Sequence, residues 1–214
     1  MNRFNSKLEL VGNINFPVFR NIRILQMPII LNDLDSIPDF LIHWKDTFLS
    51  LFNIARIKEG IAYITIDEQI VKKGSTHRRK GLHVDGVFKG HAGCTFGGGT
   101  FGSVKDGMYL ASSEIGCRAW NQEFQGFAGY EGECDHLIDQ CNPESEVILQ
   151  KNKVYWLGGL CVHESMPMKE DTKRTLIRLT MPNDNPWFDG FTLNSKGIKH
   201  EGIMLPMRTQ FMGE

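Results

Sequence analysis

The chain has 214 residues, 41% of them hydrophobic and 23% charged, and its 24 Lys+Arg against 25 Asp+Glu give a formal net charge of -1. That is ordinary globular usage with enough apolar side chain for a sizeable core, and the charge balance by itself calls for neither a nucleic-acid nor a membrane partner. The longest apolar runs, such as Val154–Leu157 and Leu160–Val162, are far too short to cross a bilayer, and no apolar signal core follows Met1–Phe4.

A soluble, intracellular protein with no membrane association is therefore expected. The five cysteines (Cys94, Cys117, Cys134, Cys141, Cys161) are odd in number and form no CxxC pair, so they read as reduced thiols.

Residues 1–33 are mixed, with Phe19–Ile30 a strand interrupted by Pro28. A helix is predicted from Ser36, with Pro38 near its first turn and Asp39 completing a near capping box. Ile37, Phe40, Leu41, Trp44, Phe48 and Leu51 recur at helical spacing and predict one buried face, while His43 reads as a satisfied or surface histidine. After Gly60 come short β-type runs: Ile61–Ile66, Leu82–Phe88, Met108–Ser112, Gly116–Phe124, Glu146–Leu149, Val154–Leu157, Leu160–Glu164 and Thr172–Met181.

Eight short strands with glycine-bearing loops, following a helix, suit a mostly β fold with flanking helices and a double-stranded β-helix (jelly-roll, cupin-like) core. One domain over 1–214 is expected, with 1–59 as strand and helix support, 60–181 as the core and 182–214 as a C-terminal extension.

Three segments carry chemistry. In Gly81-Leu-His83-Val-Asp85-Gly86, side chains two apart point the same way in an extended chain, so His83 and Asp85 present an imidazole and a carboxylate to one side. Lys153–Pro167 reads as an apolar strand, a tight Gly158-Gly159 turn and a second strand ending in His163, a hairpin able to deliver a third ligand. Two histidines and one carboxylate on one face of a metal are associated with Fe(II) oxygenases, because three coordination positions stay open.

In Lys173–Met181, Thr175, Ile177, Leu179 and Met181 form one face of a strand. Arg174, Leu176, Arg178 and Thr180 form the other, which sets the two arginines about 13 Å apart. Such an arginine matches a carboxylate; a solvated basic edge is the plainer reading of the same pattern.

The order HxD, then a glycine-turn-borne histidine, then an arginine on the next strand resembles the Fe(II)/2-oxoglutarate-dependent dioxygenase superfamily. The resemblance covers residues 80–181 at most. It implies that His83, Asp85 and His163 hold Fe(II), and that Arg174, eleven residues after His163, salt-bridges the distal carboxylate of 2-oxoglutarate. The stretch from His163 to the arginine strand is similar to prolyl hydroxylases; the Arg174/Arg178 spacing is similar to the taurine dioxygenase branch, where a second arginine faces cosubstrate or substrate.

The long interval from Asp85 to His163, and Asn152-Lys153 in place of a common Gly-Asp, depart from the pattern and prevent assignment to a subfamily. The implied activity is an enzyme, an oxidoreductase that couples oxidative decarboxylation of 2-oxoglutarate, with O2, to hydroxylation or oxidative demethylation of another substrate. A cupin-like metal enzyme without 2-oxoglutarate, and a non-catalytic jelly-roll binding or structural protein, are the rival readings.

Further residues are assigned by position. Tyr109 or Asn121 would bond the cosubstrate, and Arg118 and Trp120 would touch substrate, with barrel packing as the alternative for each. His77-Arg78-Arg79-Lys80 would either meet phosphate or a nucleic-acid backbone at the mouth or form a solvated turn. A peptide side chain is suggested by the prolyl-hydroxylase-like stretch, a nucleic acid by the basic run, and a small molecule meets no objection. His91 and Asp135-His136 read as loop residues, and Phe96–Gly102, with Gly97-Gly98-Gly99-Thr100, as a turn or lid.

Overall fold

The computed structural model describes residues 2–85, 107–129, 132–180, 187–200 and 204–205. His91, Cys94, Phe96–Gly102 and Met181, named above, lie outside them. The chain is mostly β, built from antiparallel sheets. Its strands are β1 (Arg3–Asn5), β2 (Leu8–Asn13), β3 (Arg23–Ile30), β4 (Ile61–Val71), β5 (Met108–Ser112), β6 (Cys117–Trp120), β7 (Glu123–Gln125), β8 (Glu146–Ile148), β9 (Lys153–Leu157), β10 (His163–Ser165), β11 (Thr172–Thr180), β12 (Trp187–Phe188) and β13 (Met204–Leu205). A six-stranded sheet runs β2-β9-β5-β11-β4-β3, and a three-stranded sheet runs β10-β6-β8. His83 extends the smaller sheet by bridging His163 on one side and Glu133 on the other.

Period-two alternation separates the two faces of the large sheet. On β11, Ile177 and Leu179 join the outer core, while Leu176 packs with Met108, Leu110, Cys117, Ala119 and Leu157 between the sheets. The outer core is covered by a 3-10 turn (Asp39–Trp44) and α1 (Lys45–Ile54), which bury Leu41, Trp44, Phe48 and Leu51. Behind the small sheet, Phe4, Leu82, Val84, Trp120, Phe124 and Val162 form a third cluster.

Several expectations need correction. The helix predicted from Ser36 begins as 3-10 turns and becomes α-helical only at Lys45. Ser36 Oγ donates to the Asp33 carbonyl instead of capping a helix, and Phe40 is exposed because the tighter 3-10 winding rotates it off the buried stripe. Residues 1–59 also do more than support the sheet, since β2 and β3 are its two edges. Pro28 is tolerated inside β3 because an edge strand has a side that needs no donor.

Gly116–Phe124 is two strands, not one, with the chain leaving the small sheet after Trp120. The segment Lys153–His163 is not a hairpin: β9 pairs with β2 and β5, while β10 pairs with β6. The Gly158-Gly159 corner thus carries the chain from one sheet to the other, and His163 opens β10 instead of ending it.

Candidate metal centre

The two histidines meet because their backbones do. His83 N–H donates to the His163 carbonyl (2.9 Å) and His163 N–H to the His83 carbonyl (3.0 Å). This is a hydrogen-bonded antiparallel pair, which sets the side chains side by side on one face. Their rings lie 4.3 Å apart. The HxD segment is held from behind by Asp135, whose Oδ1 accepts from Leu82 N–H at 2.6 Å.

Each imidazole is oriented by its own strand. Nδ1 of His83 lies 2.8 Å from the Gly81 carbonyl, and Nδ1 of His163 lies 2.9 Å from the Cys161 carbonyl. A carbonyl can only accept, so both Nδ1 atoms carry a proton, which leaves Nε2 of each ring as the atom that would ligate a metal. His163 Nε2 lies 3.5 Å from Asp85 Oδ2, and one donor atom from each of His83, Asp85 and His163 falls within 4.8 Å of the others. Two ligands at right angles on one octahedral ion stand roughly 3 Å apart, so the three need little adjustment to share a cation.

Protonation states agree with that use. Burial pushes the His83 imidazole down to about 3, the charge of His163 adding to the effect. Burial alone would raise the Asp85 carboxyl, but the His163 hydrogen bond and the charges of His163, Arg178 and His83 hold it well below the usual carboxylate range. A neutral imidazole and an ionised carboxylate are the forms that ligate metals.

Both arginines of β11 turn inward, as the alternation predicts. Arg178 Nη1 donates to Asp85 Oδ2 at 3.0 Å, so this arginine braces the carboxylate of the triad. Arg174 lies deeper: it is 1% exposed, its Nε donates to Ser112 Oγ at 2.8 Å, and its Nη1 is buried with no partner among the described residues. Leu110, Ser112, Gly116, Cys117 and Leu149 line a cavity around it. A Cβ on Gly116 would stand 2.8 Å from Arg174 Cζ, so the glycine is what leaves room for the guanidinium. A buried guanidinium nitrogen without an acceptor is costly, and an anionic ligand would remove that cost.

Other residues expected at the site fall elsewhere. Tyr109 faces the outer core, where its hydroxyl accepts from Arg56 N–H at 2.8 Å, because odd and even positions of β5 face opposite sides. Trp120 is buried behind the small sheet, and Arg118 on that same outer face is bound to Glu164 (2.5 Å) and Glu146 (3.2 Å). Asn121 is exposed beyond the end of β6. None of these four reaches the triad.

The run from His77 to Lys80 is not a wholly solvated turn. Arg79 and Lys80 are exposed, but His77 is buried 3.5 Å from Asp67 Oδ1, and Arg78 Nη1 donates to Asp67 Oδ2 at 2.8 Å. Asp67, Gln69 and Thr65 were missed as site residues. They alternate along the apolar run of β4, and a polar stripe at period two on a buried strand was the available signal.

No family model, curated protein or solved structure matches the chain. In the described residues, no helix is long and apolar enough to cross a membrane. Cys117, Cys134, Cys141 and Cys161 are free thiols, and burial pushes that of Cys117 up to about 12.

Proposed function

We propose that this chain is a non-haem Fe(II) oxygenase that uses 2-oxoglutarate and O2, on a double-stranded β-helix core. The observation that carries the reading is the buried His83/Asp85/His163 cluster, with Nδ1 of each histidine held by a backbone carbonyl and Nε2 left to ligate, beside a buried arginine that lacks an acceptor. The strand order supports the fold. The central strands β9-β5-β11-β4 oppose a small sheet in which the His83 segment, β10, β6 and β8 are neighbours, and successive strands of the core alternate between the two sheets except at β6 and β8, which pair within the small one. That alternation is how a jelly roll winds.

His83, Asp85 and His163 would hold the metal, leaving three adjacent positions for other ligands. When bound, the iron and 2-oxoglutarate supply the oxidising chemistry, and the protein supplies placement. Arg174 would donate to the far carboxylate of the cosubstrate through its unpartnered Nη1, with Ser112 fixing the fork and Leu110 and Leu149 excluding water from the aliphatic part. Arg178 holds the Asp85 carboxylate and so fixes which oxygen faces the metal position.

The test is a thermal-shift titration with manganese(II) and N-oxalylglycine, a 2-oxoglutarate mimic. Wild type is expected to be stabilised by the pair and Arg174→Ala by the metal alone. No stabilisation of wild type, or equal response of Arg174→Ala to the mimic, would contradict the reading.

A further inference from the structure

At one end of the space between the sheets, guanidiniums share their carboxylates with other groups. On the inner face of β4, Asp67 lies opposite Leu176, between the partners of Arg174 and Arg178. It accepts from Arg78 Nη1 (2.8 Å) and Gln69 Nε2 (2.8 Å). Arg178 gives Nη1 to Asp85, and its Nε is buried with no partner among the described residues.

Arg174 would be matched by the cosubstrate and Arg78 is matched by Asp67, but Asp85 must serve both the metal and Arg178. Arg178 is therefore left without a carboxylate of its own. At the Asp85 end the side chains of Asp85, Arg178 and Arg78 are 15%, 11% and 26% exposed, so this end is partly open to solvent. Uncompensated positive charge in a partly desolvated site selects an anion.

We propose that the substrate of this centre is a small molecule carrying an oxyanion (a carboxylate, sulfonate or phosphate) that docks against Arg78 and Arg178 at the mouth of the metal site. This rests on the metal and cosubstrate reading above. The recessed position of both guanidiniums favours a free small molecule over a macromolecular backbone, and the planar fork of Arg78, held on one side by Asp67, leaves its other edge for the anion. Asp67 and His77 act as positioning residues for that fork.

The experiment is calorimetric titration of acetate, methanesulfonate and inorganic phosphate, each into full-length protein loaded with manganese(II) and N-oxalylglycine. Saturable one-site binding of at least one anion is expected, and which one binds names the oxyanion. Arg78→Gln should weaken it roughly tenfold or more, while Arg118→Gln, on the outer face of the small sheet, should leave it unchanged.

A second measurement needs no variant, so it stands even where Arg78→Gln does not fold: the phosphorus NMR line of bound phosphate, or the proton lines of acetate and methanesulfonate, should broaden near manganese. A loaded protein that neither binds nor broadens any of the three, or an Arg78→Gln variant that binds as wild type does, overturns this inference alone. Wild type that takes up neither manganese nor N-oxalylglycine overturns it together with the reading on which it rests.

Discussion

Arg174 and Arg178 are four residues apart on one strand face, yet their surroundings give them different work. Arg178 faces a carboxylate at 3.0 Å, whereas Arg174 faces a hydroxyl and an empty hydrogen-bonding direction. Arg174→Lys should therefore lose most of the affinity for N-oxalylglycine, since a single ammonium cannot both bond Ser112 and reach a carboxylate in a fork. Manganese affinity should stay within about twofold of wild type, and calorimetry with each ligand separately checks this. Arg178→Ala, by contrast, is expected to weaken manganese binding by roughly 10- to 100-fold through loss of the brace on Asp85. The shared faces of His83 with Asp85 and of Arg174 with Arg178 were legible from alternation, whereas His163 was drawn to them by the resemblance, since the hairpin expected to carry it does not form. The placements of Tyr109, Asn121, Arg118 and Trp120 were not legible, because sequence separation from a motif does not say which face of a strand a side chain takes.

Among the elements, the corner between β5 and β6 does most to shape the cavity. Gly116 is the residue at which a side chain would press on both Met168 Cε (2.5 Å) and Arg174 Cζ (2.8 Å). Gly116→Ala is expected to displace the guanidinium and cut N-oxalylglycine affinity while leaving manganese binding intact; equal mimic affinity would show that Arg174 is not the anchor.

On the opposite face, Phe48→Ala in α1 removes a fully buried ring from the outer core and should cost about 3–5 kcal/mol in urea unfolding without altering metal stoichiometry. The short 3-10 start of that helix and the sheet-changing corner at Gly158-Gly159 were not legible in the sequence. Both are settled by what the segment packs against, and local spacing carries no record of a partner.

Over the whole molecule, the buried polar cluster should make the metal-free fold sensitive to acid. His77 and His83 are held below their ordinary value of about 6.5, chiefly by burial, and Asp67 and Asp85 below the ordinary carboxylate range. For all four, the unfolded chain binds more protons than the folded one once pH drops below the unfolded value. Their contribution is complete above about pH 6.5 and is lost as pH falls toward the folded values. Urea midpoints of metal-free protein should accordingly decline from pH 7.5 to pH 5, and His77→Gln should flatten the slope. A midpoint that rises over that interval would contradict the assignment of buried neutral histidines. The mostly β class was legible, whereas the use of residues 1–59 as both edges of the large sheet was not, because a strand's sequence does not say which strand it pairs with.

The most direct test of the centre is metal stoichiometry. Manganese(II) titrated into metal-free protein and followed by electron paramagnetic resonance should saturate at one ion per chain, and His83→Ala, Asp85→Ala and His163→Ala should each abolish that site while the far-ultraviolet circular dichroism stays unchanged. Undiminished manganese binding by folded His83→Ala and His163→Ala would contradict it.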